Sequence, residues 1–200
     1  MKDSNTEQNI LNAAISVFQK KGMAGARMQE IADEANINKA MLHYYYRNKQ
    51  LLFEAVFMQA FQKFAPHINS IFNSERTVFE KIEDFADSYI SFVIENPYLP
   101  TFLIQEININ PEFATTFFRA HTTPDPVLFE KQIAYEVEKG ILKPIDPKQL
   151  LLNLFSLCAF PFVGGGLVKG ILKIDKVSFN AMMEERKKLT PELIINSIKA

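Results

Sequence analysis

Tryptophan is absent from this 200-residue chain and cysteine occurs once. A single cysteine cannot close a disulfide within one chain. A stapled extracellular scaffold is therefore excluded, and a reduced compartment, the cytoplasm, is expected. Excess charge is also missing: 22 Lys+Arg against 23 Asp+Glu leave a net charge of −1. That excludes a nucleic-acid binder working through bulk positive charge, but not one with a locally basic face. The opening residues, Met1-Lys2-Asp3-Ser4-Asn5-Thr6-Glu7, are polar and hold no apolar leader core. Long uncharged runs are rare, with one exception, the 20 residues Gln149–Val168. Their number suits a bilayer crossing, yet Asn153, Ser156, Pro161 and Gly164-Gly165-Gly166 interrupt them. A helix covered within a bundle or a subunit interface is the better reading, and no membrane partner is expected.

What is present is apolar and helical. Hydrophobic residues make up 48% of the chain and charged ones 22%, enough for a sizeable core. None of the 10 prolines precedes Pro66, and the apolar spacing before it is helical. Beyond it, joints such as Asn96-Pro97, Asp146-Pro147 and Thr190-Pro191 pair a helix-starting residue with Pro at the first helical position. Sustained period-2 alternation is lacking. An all-α protein of about nine or ten helices follows. Charge divides along it: residues 1–50 hold 7 basic and 5 acidic side chains, residues 51–200 hold 15 and 18. The sign suits an anion-facing N-terminal unit, 1–50, on an acidic body, 51–200.

In the first unit, Ile10, Ala14 and Phe18, flanked by Leu11 and Ile15, make one stripe on a helix of residues 6–21, and Gly22 ends it. Met28, Ile31, Ala32 and Ala35 make a short second helix. Asn36 stands where a left-handed residue would turn the chain, Ile37 plugs the turn, and Asn38 caps a third helix, Lys39–Tyr46. After Arg47-Asn48-Lys49 a long helix turns Leu51, Leu52, Ala55, Val56 and Met58 inward. Two short helices joined by a tight turn and braced by a longer one are the parts of a helix-turn-helix.

The residues over 6–57 resemble, in order and spacing, the DNA-binding region of the TetR family of transcriptional regulators. The resemblance runs through Ile10-Leu11-Asn12-Ala13-Ala14, Phe18-Gln19-Lys20-Lys21-Gly22, Ile31–Lys39, Leu42–Tyr46 and Asn48–Leu52. Departures are Arg27 in place of a capping Thr or Ser, Ala40-Met41 in place of a Gly-Thr pair, and Asn36 in place of a frequent Gly.

On the third helix, Leu42 and Tyr46 are expected to face the core, while Lys39, Ala40, His43 and Tyr44 share the opposite side with Met41 and Tyr45 at its margins. An ordinary amphipathic surface helix would carry the same pattern. If the face enters a major groove, Ala40 and Met41 can touch a thymine methyl, His43 and Tyr45 can bond base edges, and Lys39 can reach base or phosphate. The resemblance implies a phosphate clamp from Tyr44 and Lys49, a base contact from Gln29, and a phosphate contact from Arg27.

Phe, 18 in all, concentrates after residue 50. Phe53, Phe57, Phe61 and Phe64, then Phe85, Tyr89 and Phe92, then Phe102, Phe113, Phe117, Phe118 and Phe129 fit an aromatic core. With Gln105, Glu106 and Asn108 they would also suit an apolar cavity. The resemblance implies a pocket between the middle helices for a small apolar or amphipathic effector, and a homodimer through the last long helices, 147–163 and about 175–189. Two recognition helices about 34 Å apart would read a near-palindromic double-stranded operator. His43, His67 and His121 have no metal-ligand spacing, Cys158 reads as a buried thiol, and Gly164-Gly165-Gly166 lacks the Lys-Ser/Thr of a phosphate loop. No cofactor and no enzyme activity is expected. The leading expectation is a ligand-released repressor. A helical DNA-binding dimer controlled by a protein partner or by nothing stays open, as does a helical ligand-binding or enzymatic domain with a vestigial helix-turn-helix.

Overall fold

In the computed structural model the described residues are 3–109 and 126–200. Ten helices and no strand occur among them. They are α1 Ser4–Gly25, α2 Met28–Glu34, α3 Lys39–Tyr45, α4 Lys49–Phe72, α5 Val78–Glu95, α6 Leu99–Ile109, α7 Pro126–Glu138, α8 Pro147–Val163, α9 Gly165–Leu172 and α10 Lys176–Ile198. A single isolated bridge pairs Leu142 with Lys199. The chain forms two compact units, Met1–Lys63 and Phe64–Ala200, and α4 contributes to both.

In the first unit the break at Gly22 is visible in the backbone. Its φ of 67° is left-handed, and the helix resumes only for the last residues of α1. Ile10, Ala14 and Phe18 are fully buried, as are Ile31, Ala32, Leu42, Leu52 and Phe53. The Phe18 and Phe53 rings lie 4.7 Å apart. This contact ties the start of α4 to the first unit. Leu51, expected inward, is exposed instead, because Leu52, Phe53, Val56 and Phe57 occupy the buried face.

Local signals start the helices of the second unit. Thr77 and Glu80 form a reciprocal capping box at α5, with Glu80 Oε2 accepting from the Thr77 backbone N–H at 2.8 Å. Asp146 caps α8 with Pro147 in its first turn, and Asp175 accepts from the Ser178 N–H at 2.8 Å at the start of α10. Thr190-Pro191, expected to be a joint, lies inside α10, where both residues are buried. The core gathers Ile82, Phe85 and Ile90 of α5, Phe129 and Ile133 of α7, Leu150, Leu154 and Cys158 of α8, and Met183, Ile194 and Ile198 of α10. Phe85 stacks on Tyr89 at 5.5 Å and meets the Phe155 edge at 4.9 Å.

The uncharged run does not form one straight helix. It breaks at Gly164, where α8 turns by 75° into α9, and no single described helix is long and apolar enough to cross a membrane. A Cβ at Gly164 would meet the Phe160 ring at 3.2 Å, so a side chain there would require that ring to shift.

Candidate nucleic-acid interface

The turn between α2 and α3 is built by the residues that punctuate it. Asn36 adopts a left-handed φ of 55°, and its N–H and that of Ile37 close the end of α2 on Asp33 and Ala32 carbonyls. Asn38 Oδ1 then accepts from the Met41 N–H at 2.7 Å and starts α3. Across the unit, α1 and α2 are braced by Lys21–Glu30 at 2.8 Å and Ser16–Glu34 at 2.9 Å. The Lys21 ammonium bonded to Glu30 holds that carboxyl below its ordinary value.

The outward side of α3 carries Lys39, Ala40, Met41, His43 and Tyr44, all exposed, with Tyr44 at 65%. Tyr45, expected at the margin of that side, is buried instead. It is 8% exposed, and its Oη accepts from the Asp3 N–H at 3.0 Å, so it is not placed to reach a base. The reason is that α3 ends at Tyr45. Tyr46 is an extended cap residue with φ −134°, so the i+3 neighbour of Leu42 turns inward and the i+4 position leaves the helix. Tyr46 is half-buried, bonds Glu7 Oε1 at 3.0 Å, and has its hydroxyl pKa raised by burial and by that carboxylate. Tyr45 and Tyr46 thus tie the end of α3 to the start of α1.

Lys49 also has a structural job that the spacing did not announce. Its Nζ donates to the Ala26 carbonyl at 3.0 Å and the Ala24 carbonyl at 3.4 Å, gripping the link into α2. An ammonium has three protons, so this grip leaves one for another acceptor. Arg27 is exposed at the start of α2. A guanidinium has no acceptor and cannot cap; instead Glu30 reaches back to the Arg27 N–H at 3.4 Å. Gln29 is exposed and donates to Asp33 Oδ1 at 2.7 Å, which leaves its carbonyl oxygen outward-capable. Arg27, Gln29, Lys39, Ala40, Met41, His43 and Tyr44 thus remain accessible on the two short helices or their caps.

In the second unit, Phe102, Phe113, Phe117, Phe118, Gln105, Glu106 and His121 lie outside the residues whose side chains are described, and Asn108 is exposed. One recess of about 420 Å³ opens at the α4–α5 turn, lined by Phe72, Lys81, Leu128, Gln132, Tyr135 and Glu136 among others. It is polar at its base. Lys81 Nζ donates to the Phe72 carbonyl at 2.8 Å and to Gln132 Oε1 at 2.6 Å, while Glu136 Oε1 accepts from the Val78 N–H at 3.2 Å. These groups close the end of α4 and the start of α5, a structural use of buried charge.

The model of the family described as bacterial regulatory proteins, tetR family, matches residues 10–56. The probable HTH-type transcriptional regulator YttP of Bacillus subtilis is 20% identical over 169 residues, covering 84% of this chain and 82% of that one. The HTH-type transcriptional regulator RutR of Escherichia coli K12 is 28% identical over 199 residues, covering 92% and 87%. In fold, the chain is similar to the transcriptional regulator FadR from Bacillus subtilis, solved in complex with stearoyl-CoA. The TM-score is 0.63 at 16% identity, over 94% of this chain and 97% of that one. Residues 10–56, the N-terminal helix-turn-helix braced and capped as described, thus carry the DNA-binding region of the tetR family of bacterial regulatory proteins.

Proposed function

We propose that the chain is a cytoplasmic homodimeric repressor that leaves a near-palindromic operator when a small apolar or amphipathic molecule binds its body. The observation that carries the DNA half is the outward side of α3: Lys39, Ala40, Met41, His43 and Tyr44 stand exposed on a helix whose other side is locked by Leu42 and Tyr45. In this reading residues 1–50 read DNA and residues 51–200 sense and dimerise. Tyr44, Lys39 and Arg27 meet phosphates or base edges, Gln29 and His43 meet bases, and Ala40 and Met41 pack on a thymine methyl. Lys49 serves chiefly to hold the α1–α2 link, with one proton left for phosphate.

The dimer half rests on exposed apolar side chains on the last helices: Leu152, Phe155 and Phe160 on α8, Leu189 and Leu193 on α10. A long-chain acyl-CoA held by the FadR relative supports an amphipathic effector. Such an effector shifts the equilibrium only by its differential affinity for the bound and released conformations.

Selection from a random-sequence duplex library tests the proposal. It should return a two-half-site motif. Tyr44→Ala should then weaken binding to all sequences alike while leaving the salt slope unchanged, because a neutral phenol releases no counterion. Recovery of no specific sequence would sink the repressor reading.

A further inference from the structure

We propose that His43 is a pinned hydrogen-bond acceptor that selects, at one position of each half-site, a base bearing an exocyclic amino group in the major groove, adenine or cytosine. This rests on the reading of α3 as the groove-entering helix.

His43 Nδ1 lies 3.0 Å from the Arg47 carbonyl oxygen, in the turn after α3. A carbonyl oxygen only accepts, so Nδ1 must carry the proton. The neutral ring then has a bare Nε2, directed away from that carbonyl, and a bare imidazole nitrogen only accepts. The side chain is exposed, and no hydrogen bond occupies Nε2 among the described residues. In the neutral ring, which nitrogen faces outward and which role it takes are therefore set before DNA arrives.

The neighbours make this acceptor distinctive. On the exposed side of α3, Lys39 offers donors only, Ala40 and Met41 offer apolar contact, and the Tyr44 hydroxyl can play either part. His43 Nε2 alone on that side is obliged to accept. A major groove presents donors at two places only, the adenine N6 and cytosine N4 amino groups; guanine and thymine present acceptors there. An acceptor set against guanine O6 or thymine O4 leaves two lone pairs facing each other without a proton. Discrimination thus falls between A or C on one side and G or T on the other. Carbonyl-pinned tautomer and groove chemistry together give the rule.

The test selects sites for the full-length chain at pH 8. It repeats the selection with His43→Ala and His43→Gln. One position per half-site should favour A or C with the wild type and lose that preference with His43→Ala. His43→Gln, whose amide oxygen restores an acceptor, should regain it. Replacing the favoured base by its desamino analogue should weaken wild-type binding about three- to tenfold, as for one lost hydrogen bond, and leave His43→Ala unaffected. A His43-dependent preference for G or T overturns the proposal while the operator-binding function stands. So does a specific motif in which no position depends on His43. Absence of any specific motif overturns both.

Discussion

At the scale of single residues, Tyr44 and Tyr45 divide by burial in a way their chemistry does not announce. They are adjacent, identical in chemistry and 5.6 Å apart ring to ring, yet one is 65% exposed and the other 8%. Tyr45→Phe should therefore remove the bond from the Asp3 N–H and cost about 1 kcal/mol of stability, while leaving base preference at every operator position as it was. Urea unfolding and a repeated site selection check the two halves, and an altered base preference would put Tyr45 back on the groove face. This was the residue at which periodicity misled. A 3.6-residue repeat allows either i+3 or i+4 beside Leu42, and the choice depends on where α3 stops. The stop is set by an extended cap residue and by partners at Asp3 and Glu7, about forty residues away, which no local pattern encodes. By contrast Asn36 and Asn38 were legible, because a left-handed turn and an N-cap are local events of one residue each.

At the scale of elements, helix existence followed from apolar spacing and helix starts from caps, while packing partners did not. Pro191 shows the limit: Thr-Pro is a proper start signal, but burial of both residues against the body keeps α10 continuous through it. The uncharged run likewise carried its meaning only in part. Glycine at 164 splits it into α8 and α9, and Leu150, Leu154 and Cys158 of α8 face the body. On the other side of α8, Leu152 and Phe160 are each 57% exposed, and on α10 Leu189 and Leu193 are 56% and 62% exposed. Scattered exposed leucines need no explanation, but stripes at helical spacing on two neighbouring long helices suit a two-fold interface. Leu193→Glu and Phe160→Glu should each convert a dimer to monomer in sedimentation and lower operator affinity, because one recognition helix reads one half-site. Dimers that persist unchanged with both substitutions would place the interface elsewhere.

At the scale of the whole molecule, the buried acids set how stability answers to alkali. Burial pushes the Cys158 thiol up to about 12 from 9.0, and Tyr89 and Tyr98 up to about 12 from 10.0; Tyr46 is raised too, chiefly by burial with Glu7 assisting. Each of these groups is neutral when protonated. With the folded value raised, the unfolded chain releases its proton first, so the stabilisation is complete below the ordinary value and is lost as pH climbs from there towards about 12. Lys81 runs the other way. Desolvation lowers its ammonium from 10.5, partly offset by Glu136, so the folded chain releases that proton first and stability gains with pH just below 10.5. Among the described residues four falling contributions outweigh one rising one, and the urea midpoint should decline steadily above pH 9. The thiol is the first of the four to begin, so Cys158→Ala should flatten the slope between pH 9 and 10 whatever its effect on absolute stability. Lys81→Met should steepen the decline near pH 10, because its opposing contribution is gone. Parallel pH profiles for wild type and Cys158→Ala would mean that the thiol is not held protonated by the core between α5, α8 and α10.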